Sequence, residues 1–168
     1  MTVVISDTSP LSNLALVDSL FLLKEIYTTV VIPQTVAEEL ENGRENDSRI
    51  SAVLSLDWIE VKQATDIELI SELRKNYLLD KGEAEAIALA LELKADELLI
   101  DERLGRQEAT RLGLAITGVL GILLVAKSRG LIPAIRPLID DLIEIAGFRV
   151  SNQLYQEVLI AASENIAD

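Results

Sequence analysis

With 168 residues, 49% of them hydrophobic, the chain is long enough to bury one sizeable core and too short for two comfortable domains. It contains neither cysteine nor histidine, which excludes disulfides, thiol nucleophiles, thiolate metal sites, the commonest general base and the usual zinc ligand. Any catalysis must run on carboxylates, hydroxyls, lysine or a bound metal ion, and the formal charge of −13 opposes long-range attraction to a polyanion.

In chain order, TVVIS predicts a first strand ending at Asp7. SPLSNLALV then predicts a helix, with Ser9 as its cap and Pro10 in its first turn. TTVVI predicts a second strand stopped by Pro33, and QTVAEELENG a helix that ends near Gly43. The segment from Arg44 to Leu56 is polar, then apolar at helical spacing. DWIEVK predicts an edge strand, and Asp66 to Asn76 another helix. GEAEAIALALELK is apolar on nearly every face beyond its first turn, the pattern of a helix buried against a sheet. ELLI is a short buried strand, RLGRQEATRLG a helix ending at Gly113, and LAITG the last strand. GVLGILLVAKSRG, PAIRPLIDDLIEIAG and SNQLYQEVLIAASE, the last capped by Ser151, predict C-terminal helices. Roughly five strands alternating with seven or more helices describe an α/β domain with an open, doubly wound parallel sheet. One domain over 1–168 is expected, a core of about 3–132 followed by C-terminal helices in 133–168.

No basic stretch followed by an apolar run and a small-residue cleavage site stands at the N-terminus. LAITGVLGILLVA, among the longest apolar stretches, falls short of roughly 18 uninterrupted residues and carries Thr and Gly. A soluble, cytoplasmic protein that does not enter a membrane is expected.

Against this background, a few acids stand out because each lies where an apolar run stops. Asp7 and Asp101 follow strands, and ligands of open parallel sheets bind outside the carboxyl ends of the strands. Glu39 lies on the flank of the apolar stripe marked by Val36 and Leu40. Glu83 and Glu85 open the buried helix, where free N–H groups stabilise negative charge. Side chains two apart on a helix point about 200° from each other, so only one of that pair faces any one site, and spacing does not choose between them. Each acid alone has an ordinary explanation as a turn former, a cap or a solvated helix face. Converging at one sheet edge, their repulsion would demand a cation. Oxygen donors suit Mg2+ or Mn2+, and such an ion would generate the nucleophile that histidine cannot supply here.

VVISDTSPLSNL, VVIPQTVAEEL, LDKGEAEAIALALEL, LLIDERLGRQEATRLGL and ITGVLGILLVAKSRGLI, in that order over roughly Val3 to Ile132, resemble the PIN-domain family, within a branch of predicted nucleic-acid-binding proteins. The resemblance implies a three-layer α/β/α fold with a four- or five-stranded parallel sheet, and metal-dependent cleavage of RNA. It also implies a role as the toxin of a toxin–antitoxin pair, with an antitoxin protein as partner and homodimers formed through helices. By position, Asp7 matches the first acid of the family, Glu39 the second, Glu85 the third with Glu83 nearly as good, and Asp101 the fourth. Thr8 and Ser9 are candidates to bind the first carboxylate or substrate phosphate, and Arg103 and Arg106 to reach phosphate oxygens. Aromatic residues for base stacking are scarce, and none sits beside an acid.

Three other classes bear comparison. A non-catalytic interaction module would account for the net acidity and for the apolar region after Gly130. Aspartate phosphorylation of the haloacid-dehalogenase kind wants a second Asp two residues after the first, where this chain has Ser9, and the first strand lacks the G-x-G-x-x-G turn of a dinucleotide site.

Overall fold

Short runs whose apolar residues alternate between two faces build the sheet of the structure, a computed structural model that describes residues 2–164. The strands are β1 (Val4–Ser6), β2 (Val30–Pro33), β3 (Ile59–Lys62), β4 (Glu97–Leu99) and β5 (Ile116–Thr117). They lie in the order β3-β2-β1-β4-β5, and every pairing is parallel. Ile5 is opposite Val31 on one side and Leu98 on the other. Because successive residues of a strand face opposite ways, Val4, Val30, Ile32 and Leu99 join one core, and Ile5, Val31, Leu98 and Ile100 the other.

Helices cover both faces: α1 (Thr8–Leu16), α2 (Phe21–Tyr27), α3 (Gln34–Asn42), α4 (Ser48–Ser51), α5 (Ile67–Asn76), α6 (Lys81–Glu92), α7 (Arg103–Arg111), α8 (Val119–Ser128), α9 (Arg136–Glu144) and α10 (Asn152–Ala161). The first core takes apolar residues from α1, α2, α3, α8, α9 and α10, and the second from α5, α6 and α7. The resulting α/β/α sandwich is the architecture the sequence implied. Among the described residues no helix is long and apolar enough to cross a membrane.

Helix α6 lies against β1, β2 and β4. Its alternating alanines let the backbone approach the sheet, and every residue from Gly82 to Ala90 is buried. Burial of Ile87 and Leu89 contributes about 1.5–3 kcal/mol each. Asp80 caps the helix by accepting from the Glu83 backbone N–H at 2.8 Å, a contact worth about 1 kcal/mol.

The structure departs from the sequence pattern at three places. Helix α1 begins at Thr8 with Asp7 in the cap position, so Ser9 lies inside the first turn and is not the cap. The stretch from Arg44 to Leu56 is not one helix: Glu45 and Asn46 adopt positive φ (58° and 60°), and α4 is left as a single turn between two 3-10 segments. Helix α2, barely two turns long, is too short for periodicity to reveal. Ser151 does cap α10, accepting from Leu154 N at 3.1 Å.

Candidate active site

The chain runs outward from β1 through β2 to β3, then returns to place β4 on the other flank of β1. Loops diverge at this switch, the place beyond the carboxyl ends of the two strands where open parallel sheets form their binding crevice. The ladder continues one residue further, with Asp7 N donating to the Leu99 carbonyl at 2.9 Å. Asp7 therefore shares the parity of Ile5, and its carboxylate falls on the α6 side of the sheet. It is only 4% exposed. Burial pushes its pKa up to about 7; the Thr8 backbone N–H opposes this, while the charges of Asp80, Glu39 and Glu102 add to it.

Glu39 reaches the same crevice from α3. Val36 and Leu40 fix that helix in the core, and Glu39, beside them, is half-buried. Thr8 Oγ1 donates to Glu39 Oε2 at 2.7 Å, joining the first helix to the third. The other carboxylate oxygen rests on the backbone of α6: a Cβ built on Gly82 would lie 2.2 Å from Glu39 Oε1. Burial raises the Glu39 pKa, Thr8 lowers it, and Asp80 and Glu85 raise it again.

Glu83 completes the inner group. Burial, the Asp80 charge, a hydrogen bond shared with the Asp80 carboxylate, and the charges of Asp7 and Glu102 push its pKa up to about 8. Glu83 therefore favours its protonated form at neutral pH, because burial and the neighbouring negative charges disfavour the ionised one. Glu102, the exposed cap residue of α7, shares the parity of Ile100 and adds negative potential to Asp7 and Glu83.

Two of the acids singled out from sequence are directed elsewhere. Glu85 points away from Glu83, as two-residue spacing on a helix requires. It accepts from Thr35 Oγ1 at 2.6 Å and Thr35 N at 3.4 Å, with Lys81 Nζ 3.9 Å away. Its role here is to tie the start of α3 to α6. Asp101 has the parity of Leu99, so it turns toward α8: Oδ1 accepts from Val119 N at 3.1 Å, and a Cβ on Gly118 would lie 2.5 Å from it. Its Oδ2 is buried with no hydrogen-bond partner among the described residues. Burial raises the Asp101 pKa to about 6, against the Val119 N–H and Arg106 and with the help of Glu102.

Among the described residues no three acidic side chains stand close enough to hold an ion as placed. The donor chemistry nevertheless fits a hard divalent cation. Asp7, Glu39 and Glu83 are oxygen donors whose pKa values are raised by burial and by the charge of Asp80, a strain that a bound cation would relieve, while Asp101 keeps an orphaned buried oxygen on the α8 side.

The remaining candidates are placed as follows. Thr8 holds Glu39. Ser9 and Arg106 line a groove on the α8 side together with Asn13 and Asp101, and Arg106 Nη1 donates to the Ile100 carbonyl at 2.8 Å. Arg103 is exposed beside Asp101 and Arg106. Sequence reasoning missed Asp80, Glu102, Thr35 and Gly82. Asp80 had a signal: D-K-G-E has the capping-box spacing that starts a helix with two acids close together.

A family model described as a PIN domain matches residues 3–164. No curated protein matches the chain.

Proposed function

The chain belongs to the PIN-domain family, a nuclease fold, and from that premise we propose that it is a metal-dependent ribonuclease hydrolysing RNA phosphodiester bonds at the crevice beyond β1 and β4. The observation that carries this reading is the convergence of Asp7, Glu39 and Glu83 from three separate elements into one crevice where the charge of each is disfavoured. Buried acids placed so that they repel one another destabilise the fold unless a cation offsets them.

In this reading Asp7, Glu39 and Glu83 would hold a Mg2+ or Mn2+ ion, with Asp80 and Glu102 at the rim. When bound, the ion lowers the pKa of a water molecule and offsets charge accumulating on the scissile phosphate. Thr8 fixes the Glu39 carboxylate, and the Glu85–Thr35 contact sets α3 against α6, so the spacing of Glu39 and Glu83 is held by the fold. Because burial and the Asp80 charge favour the protonated form of Glu83, holding a cation there would require that proton to leave, which would couple binding to pH. The hydrolysis forms one bond from a water oxygen to phosphorus and breaks the bond from phosphorus to a sugar oxygen. The acidity of the rest of the chain works against RNA, so productive encounters depend on local cations.

The same reading extends to the toxin of a toxin–antitoxin pair acting as a homodimer. A small adjacent gene whose product co-purifies with the chain and blocks cleavage tests the first part, and sedimentation tests the second. The central test is cleavage of structured and unstructured RNA with Mn2+, alongside calorimetric Mn2+ binding, for wild type, Asp7→Asn and Glu83→Gln. Wild type is expected to cleave and both variants to lose roughly 100-fold or more. No cleavage and no heat of binding in wild type would favour the non-catalytic interaction module.

A further inference from the structure

We propose that the groove between α3, α5 and the start of α6 is a nucleotide subsite, seating one base and its phosphate beside the scissile bond; the proposal rests on the ribonuclease reading above. The groove has a volume of about 830 Å³, within the range that encloses small organic ligands. It has three kinds of wall. Ala64 and Leu79, both buried, and Ile70 form an apolar floor, suited to the face of a base. Ile67 stands at its edge 76% exposed, a large apolar side chain in water without a partner from its own fold.

Gln34 and Gln63 supply the second kind of wall. Each amide carries a donor and an acceptor, the complement of a base edge, and both residues are exposed. Arg74, Lys75 and Lys81 supply the third. Three cations face Glu38 and Glu85 there, a local excess of positive charge in a chain of net charge −13. Arg74 and Lys75 form no ion pair among the described residues. A phosphodiester matches that surplus; an acidic or apolar peptide would leave the two amides without a purpose.

Position links the groove to the chemistry. Lys81 follows Asp80, and Glu38 precedes Glu39, so groove and crevice share a border. Thr35, on the groove wall, lies one helical turn from Glu39, about 6 Å along the axis of α3. RNA with its scissile phosphate at the acids would carry the neighbouring nucleotide across Lys81 into the groove. The groove on the α8 side sets Arg106 and Arg149 against Asp101 and Glu102, with no surplus of positive charge, and Arg106 there is already engaged with the Ile100 carbonyl.

The test uses the full-length, metal-free protein, so that it does not depend on cleavage. The 15N-labelled chain is titrated with the four 5′-ribonucleoside monophosphates, their deoxy counterparts and inorganic phosphate. Expected are backbone shifts at Gln34, Thr35, Gln63 and Ser71 at millimolar ribonucleotide, with phosphate alone binding more weakly. Arg74→Glu, on the exposed face of α5, should weaken binding about 10-fold, the loss of one charged hydrogen bond. Lys24→Glu, an equal charge change at an exposed position of α2, should not. Absence of shifts, shifts confined to the α8-side groove, equal binding of phosphate and nucleotides, or equal weakening by both substitutions would overturn the proposal. Cleavage without groove binding sinks the subsite and leaves the nuclease; groove binding without cleavage does the reverse.

Discussion

Asp7→Asn should stabilise the metal-free protein, even though it removes the side chain proposed to be central to function. The wild-type carboxyl rises from an ordinary 3.8 to about 7 on folding. A pKa raised in the folded state means that the contribution is fully present below pH 3.8 and is lost as pH climbs through 7. Holding the charged form at pH 8 therefore costs on the order of 4 kcal/mol relative to acid conditions. Asparagine keeps an acceptor for the Thr8 backbone N–H and carries no charge, but it must find partners for its amide protons, so about half of that sum, about 2 kcal/mol, is expected to survive. At about 2–4 °C per kcal/mol for a chain of this size, the variant should melt about 4–8 °C above wild type at pH 8. Calorimetry in chelator at pH 5 and pH 8 measures the gap, which should close at the lower pH. Mg2+ should then raise the wild-type Tm and leave the variant unmoved. A variant that melts below wild type at both pH values would refute the electrostatic account of the crevice.

Other outcomes follow from the same contacts. Gly82→Ala places a methyl group 2.2 Å from Glu39 Oε1; the carboxylate tip should swing aside, leaving Tm within a few degrees while Mn2+ affinity, read by calorimetry, falls about 10-fold or more. Glu83→Gln should abolish measurable Mn2+ binding, whereas Glu85→Ala should cost about 1–3 kcal/mol of stability in urea through the lost Thr35 bonds and keep the metal affinity; the opposite pattern would transfer the ligand role to Glu85. Glu164 is pushed up by burial but brought lower overall by hydrogen bonds from Ile135 N, Lys127 and Arg136 N. A lowered pKa gives stability that is present above 4.5 and lost as pH falls through the folded value, so the Tm deficit of Glu164→Gln should be widest near pH 7 and vanish in acid.

Most of the architecture was legible because its signals are local. Alternating Val and Ile mark strands wherever they occur, Ser151 starts a helix by its own capping chemistry, and an alanine-rich apolar run can only be buried. The five sequence blocks likewise carried the family. Short elements escaped: α2 and α4 have too few turns to display a period, and positive φ at Glu45 and Asn46 depends on neighbours rather than on residue type.

The candidate site divides along the same line. That Asp7 lies at a strand end and that only one of Glu83 and Glu85 can face it were set by the chain itself, through the fixed periods of strand and helix. Which glutamate does so was decided by the rotation of α6 on the sheet, a packing outcome that also brought Thr35 against Glu85 and laid Glu39 across Gly82. Asp101 turned toward α8 because it shares parity with Leu99, and Glu102 entered the electrostatic group because it shares parity with Ile100; the direction of that alternation follows from which face of β4 packs on which helices. Residue type and spacing are properties of one segment, but distances between carboxylates depend on how several segments meet, and only the assembled sandwich fixes them.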